Sequence, residues 1–147
     1  MNNVLEIKHL TKYYNNVLGV KDLNLNIKKG EIFGFIGPNG AGKSTTIRSI
    51  MNLINKTEGE ILFNGILLDK NNIALKKEIG YLPSEIYLYD DLTVKEILDF
   101  HQSFYDKNLN KRRKELVNRL KLDENKKIED LSLGNLKKLG IILALIP

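Results

Sequence analysis

The stretch Gly37–Thr45, GPNGAGKST, decides how the rest of the chain is read. Gly37, Gly42, Lys43 and Ser44 satisfy the pattern G-x-x-x-x-G-K-[ST], and Pro38, Asn39, Gly40, Ala41 and Thr45 complete the loop. Glycines let the backbone curl and bring bare N–H groups against phosphate oxygens. Lys43 has the reach and charge for β- and γ-phosphates, and the Ser44 hydroxyl suits Mg²⁺. By average residue usage the four fixed positions match by chance in well under about one chain in a hundred of this length.

The flanks fit the same purpose. EIFGFIG (31–37) is almost continuously apolar, as a strand buried on both faces would be. After the loop, Ile47, Ile50, Met51 and Ile54 recur at helical spacing. A strand, a glycine loop and a helix whose start adds free N–H groups and positive potential make a binding place for a nucleoside triphosphate.

Outward from the loop, VLEIKHL (4–10) and LNLNI (23–27) read as short strands, and EGEILFNGILL (58–68) as a hairpin turning at Asn64-Gly65. IGYL (79–82) reads as one more strand, stopped by Pro83. The character then turns helical. Thr93 and Glu96 form a capping box, with Val94, Ile97, Leu98, His101 and Phe104 on one face behind it. A helix at about 110–121 carries Leu116, Val117 and Leu120, and another begins near Leu133-Gly134.

Composition bounds the alternatives. The chain has 147 residues, 42% hydrophobic and 28% charged, as expected of one soluble globular domain. Its longest apolar run, LGIILALIP, is far short of the roughly 20 residues of a membrane span. The start lacks the basic and apolar regions of a secretion signal, and the absence of cysteine suits a reducing cytosol. The net charge of +5 gathers at Lys107, Lys111, Arg112, Arg113, Lys114, Arg119, Lys121, Lys126 and Lys127. Interspersed Glu115, Asp123 and Glu124, and the lack of any aromatic residue among these charges to stack on a base, favour a solvated helix face; no nucleic-acid partner is expected. His101 reads as a packed core histidine, and His9 has no stronger case.

GEIFGFIGPNGAGKSTTIR resembles the Walker A region of the ATP-binding-cassette ATPases, the nucleotide-binding subunits of ABC transporters, and looks closest to the exporter-like (ABC-2-type) branch. LTKYY (10–14) is similar to the family segment that stacks an aromatic ring on adenine. That ring is Tyr14 by alignment, with Tyr13 the alternative, and either could be a packing residue on physical grounds. IGYLPSE (79–85) falls where the family has its Q-loop, with Ser84 in place of the glutamine and Glu85 after it; either offers oxygen to Mg²⁺. DDLTVKEILDF (90–100) resembles the start of the helical subdomain that docks on the membrane partner. DLSLGN (130–135) sits at the signature motif, LSGGQ: Leu131, Ser132 and Gly134 match, while Leu133 and Asn135 depart from it. Leu133 either impedes close backbone approach or turns aside.

The resemblance implies an α/β P-loop NTPase with a RecA-like core and an antiparallel β subdomain (1–84), a helical subdomain (85–135) and a signature helix (136–147). It implies Mg-ATP as cofactor, with Lys43, Ser84 and Glu85 in catalysis and Ser44 on the metal. Tyr14, residues 37–45, Ser132 and Gly134 would hold nucleotide. It also implies a head-to-tail pair with a second ATPase subunit, a membrane-embedded permease, and a place on the inner face of the cell membrane. The family's Asp-Glu strand and switch histidine fall beyond Pro147, so these residues alone are expected to bind Mg-ATP weakly, hydrolyse little and expose apolar surface. A non-hydrolysing nucleotide-binding and dimerisation module, and a non-transport ATPase acting on ribosomes or DNA, are the alternatives.

Overall fold

The computed structural model describes residues 3–147. They form two compact units, one ending at Lys76 and the other running from Lys77 to Pro147.

The first unit is built on an antiparallel sheet in which β1 (Asn3–Tyr14) pairs with β2 (Val17–Lys28) on one side and β3 (Glu58–Phe63) on the other, with β4 (Ile66–Leu67) beyond β3. The first two strands are longer than their hydrophobic alternation predicts, because bulges break that alternation. The β1–β2 register slips between Ile7 and Leu10, where His9 holds positive φ, and again between Leu10 and Lys12, where Asp22 does. Side chains brace this bulge. His9 Nδ1 lies 2.7 Å from Asp22 Oδ1, the His9 N–H donates to Asn24 Oδ1, and the Asp22 N–H donates to Thr11 Oγ1. His9 is therefore a surface brace of the sheet. The β3–β4 turn falls at Asn64-Gly65 as predicted, both residues with positive φ, the conformation a tight two-residue hairpin requires. Ile7, Leu10, Ile61 and Leu68 are the buried side chains of this small core.

Two expected strands do not form. Residues 31–38 carry no ladder, and Ile32 and Ile36 are 101% and 93% exposed. A strand apolar on both faces is stable only between neighbours, and among the described residues this one pairs with none. Residues 79–82 are likewise outside any strand. The helix after the loop, α1 (Lys43–Ile50), does form, but its buried residues are Thr46 and Ser49, and Ile47 is exposed. Both hydroxyls donate to the carbonyl four residues back, which satisfies them inside the fold. A short helix, α2 (Ile73–Lys76), closes the unit.

The second unit packs α3 (Val94–Gln102), α4 (Asn110–Leu120) and α5 (Leu133–Leu145), with a 3₁₀ turn at Ile128–Asp130. Its core joins Val94, Ile97 and Leu98 of α3, Leu116 and Val117 of α4, and Leu139 and Ile142 of α5. The capping box is present as predicted. Thr93 Oγ1 accepts the Glu96 N–H, and the Glu96 carboxylate accepts the Thr93 N–H at 2.8 Å. Phe104, expected on the inner face, is 56% exposed because α3 ends at Gln102. The basic run is not uniformly solvated either. The Arg113 side chain is only 11% exposed and donates to Asp99, Glu124 and Gln102, tying α4 to α3 and to the segment after α4. Bonds from Lys95 first, then Arg113, hold the Asp99 carboxyl below its usual range.

Candidate functional site

The loop geometry follows from its glycines. Gly42 caps α1 at φ +83°, and the first helical bond runs from the Thr46 N–H to Gly42 O at 2.8 Å. The amides of Lys43, Ser44 and Thr45 therefore precede the helical ladder, free to bond an anion at the positive end of the helix. Upstream, the Ala41 N–H donates to Pro38 O. The Lys43 ammonium folds over the loop and donates to Gly37 O at 2.6 Å and Pro38 O at 2.7 Å. No carboxylate pairs with it among the described residues. A cation held only by carbonyls beside free amides fits a phosphate group.

A pocket of about 310 Å³ opens there, lined by Tyr14, Leu18, Gly19, Asn39, Gly40, Gly42, Lys43, Ser44 and Thr45. The structure thus brings Tyr14 to the loop. Its hydroxyl lies 3.4 Å from Thr45 Oγ1, and the Lys12 ammonium stands 5.0 Å from its ring centre. Tyr13 goes elsewhere, lining a depression with His9, Thr11, Lys21, Asp22 and Glu58, because successive strand residues face opposite ways.

Sequence reasoning passed over Gly19. A Cβ built there would fall 2.9 Å from Tyr14 Cε2 and 3.2 Å from both Lys12 O and the Thr45 methyl. A Cβ on Gly42 would fall 2.4 Å from Gly19 O. The available signal was a glycine inside a strand, a mark of close backbone approach.

Ser84, Glu85, Ser132 and Gly134 belong to the second unit. Ser84 and Glu85 are exposed, and the Glu85 carboxylate accepts the Tyr87 hydroxyl at 2.5 Å, which raises the Tyr87 phenol above its ordinary value. Ser132 caps α5 by accepting the Asn135 N–H, Gly134 lies in the first turn, and Leu133 is 69% exposed, turned to solvent. The same unit carries an open groove of about 500 Å³ with Tyr87, Tyr89, Phe100, His101, Phe104 and Leu143 among its walls. His101 is half-buried there, its Nδ1 has no partner among the described residues, and burial lowers its pKa. Among the described residues no helix is long and apolar enough to cross a membrane.

A glycine-capped helix start, a lysine held by carbonyls with no carboxylate partner among the described residues, and a tyrosine around one pocket define a P-loop domain. Comparison with known proteins carries this further. The family model described as "ABC transporter" matches residues 20–147. The ABC transporter ATP-binding protein YtrB of Bacillus subtilis (strain 168) is 37% identical over 141 residues, covering 96% of this chain and 48% of YtrB. Among solved structures, one described as the ATP-binding subunit of an ABC transporter superposes with a TM-score of 0.88 at 30% identity, covering 97% of this chain and 62% of that one. The dimeric structure of MJ0796, a bacterial ABC transporter cassette, gives a TM-score of 0.84 at 29% identity, covering 97% and 69%. The chain belongs to the ABC transporter family, and its relatives there are ATP-binding proteins. It spans about half the length of the curated relatives it matches.

Proposed function

We propose that this chain carries the nucleotide-binding half-site of an ATP-hydrolysing ABC transporter subunit, of the exporter-like branch. The observation that carries this reading is the pocket in which Tyr14 meets the phosphate loop. Tyr14 stacks on the adenine, and the amides of Lys43, Ser44 and Thr45 hold phosphate oxygens. Lys43 leaves the Gly37 and Pro38 carbonyls to pair with the β- and γ-phosphates, and Ser44 supplies a hydroxyl oxygen to Mg²⁺. When bound, Mg²⁺ neutralises charge developing on the phosphates.

In this reading residues 1–84 form the P-loop core and β subdomain, 85–135 the helical subdomain, and 136–147 the body of the signature helix. Ser84 or Glu85 takes the place of the Q-loop glutamine. Ser132 and the Gly134 N–H close over the nucleotide of a second subunit placed head to tail, an arrangement for which the dimeric cassette MJ0796 gives support. The exposed aromatic groove beside α3 receives a segment of a membrane-embedded permease, which places the protein on the inner face of the membrane.

The test is a calorimetric titration of the intact protein with Mg-ATP. Removing the one ammonium in the phosphate loop is expected to weaken binding at least about tenfold in Lys43→Ala, the scale of a charge-assisted hydrogen bond. Equal affinity in the two proteins would overturn the reading.

A further inference from the structure

We propose that the outer face of α4 is a contact surface for the anionic lipid headgroups of a bilayer. α4 belongs to the second unit, and the contact needs neither nucleotide nor permease. Several cations of this helix have no use in the fold. Lys111 stands in the first turn and Lys114 just after it, at the helix end where the macrodipole disfavours positive charge. No acidic residue occupies that turn to offset them. Helix stability therefore gives no reason for these two lysines.

The carboxylates interspersed along the run are engaged elsewhere. Glu115 lies 3.7 Å from Arg112, Glu124 takes the inward-turned Arg113, and Glu129 lies 3.3 Å from Lys127. Asp123 accepts the Asn125 N–H at 3.0 Å. Lys111, Lys114, Arg119, Lys121 and Lys126 are exposed, and none has a carboxylate partner among the described residues. Buried Leu116 and Val117 point α4 to the core, so Lys111, Lys114 and Asn118, at i, i+3 and i+7, share the opposite face. Lys121, the C-cap residue, continues that row.

The chemistry of this face selects its partner. Every exposed side chain of α4 is polar, so the helix lies on a charged surface and does not insert into it. Nucleic acid suits the face less well. No aromatic residue stands among these cations to stack on a base, and Arg112 and Arg113 are committed to carboxylates. What remains is mostly lysine, whose compact charges match a sheet of headgroup phosphates without fixed geometry. Each such cation strengthens binding to an anionic leaflet by about fivefold, and the attraction fades with salt.

Cosedimentation of the intact protein with vesicles free of permease tests this. The wild type is expected to bind vesicles of phosphatidylcholine and phosphatidylglycerol in equal parts, to leave them as salt rises, and to ignore phosphatidylcholine alone. Lys111→Gln, Lys114→Gln and Lys121→Gln together are expected to weaken binding at least about tenfold. Lys28→Gln, Lys29→Gln and Lys70→Gln remove the same charge from exposed positions of the first unit and are expected to change it less than about twofold. Arginine at positions 111, 114 and 121 keeps the charge and is expected to bind as the wild type does.

Absence of binding to the anionic vesicles overturns the inference, as does unchanged binding in the α4 glutamine variant. An equal loss in the two glutamine variants also overturns it, since that marks net charge and not place. So does a loss in the arginine variant, which marks damage to the helix. A DNA duplex that strips the wild type from the vesicles at equal phosphate concentration overturns the lipid assignment in favour of nucleic acid; retention on the vesicles supports it.

Discussion

With its ammonium on the carbonyls of Gly37 and Pro38, Lys43 shows how little a single residue needs in order to be ready for an anion. No carboxylate has to be given up, so the exchange is from neutral acceptors to charged ones. His101 shows a different economy. Half-buried in the groove wall, with no partner for Nδ1 among the described residues, it is held below its ordinary value of 6.5 by desolvation. The unfolded chain therefore binds the proton more readily than the folded one. The neutral imidazole's contribution to stability is full above about 6.5 and is lost as pH falls from there through the folded value. Urea unfolding at pH 7 and pH 5.5 should show the second unit losing stability on acidification, and His101→Gln should flatten that dependence. Asp99 does not confuse the result, because its folded value is lowered from 3.8 and its window lies more acidic still. An unchanged pH slope in the variant would contradict this assignment.

Elements differ in how far they can be read locally. The capping box and the Asn64-Gly65 turn were legible because a few neighbouring side chains decide them. Thr93 and Glu96 exchange bonds across three residues whatever lies beyond. Thr93→Ala should cost about 1 kcal/mol, visible as a lower denaturation midpoint of the second unit. The strand expected at 31–37 was legible as a pattern, yet it is unpaired because a strand is a property of its neighbours. The expected apolar face of α1 failed for a related reason. Thr46 and Ser49 satisfy their hydroxyls on the helix itself and so can be buried in place of Ile47. Close approaches were the least legible. At Gly140 of α5 a Cβ would meet Ile86 Cδ1 at 2.4 Å and Leu82 Cδ1 at 2.8 Å, so the segment bearing Ser84 and Glu85 is seated on α5 at a glycine. Nothing in LKKLGIIL announces this. Gly140→Ala should cost about 1–3 kcal/mol by overpacking and speed hydrogen exchange across 82–86. Exchange rates equal to wild type would show that the seat is unimportant.

For the whole molecule, the site was legible in proportion to its chemistry. The phosphate loop follows from residue types at fixed spacing, and the pocket that joins Tyr14 to it depends on a β1–β2 hairpin extending past the bulge at His9 and Asp22. The close approach at Gly19 escaped notice because only the packed structure displays it. Arg113 escaped because a basic run reads as a surface, while this one guanidinium turns inward to Asp99 and Glu124. Membership in the ABC transporter family ties these parts together, and the claim at the centre is physical: adenine on Tyr14, phosphates on residues 37–45. Photolabelling the intact protein with Mg-8-azido-ATP, followed by peptide mapping, tests it most directly. The account predicts label on the segment Tyr13–Lys21, removed by excess ATP and absent in Lys43→Ala. Label that falls elsewhere, or that survives the loss of Lys43, would contradict it.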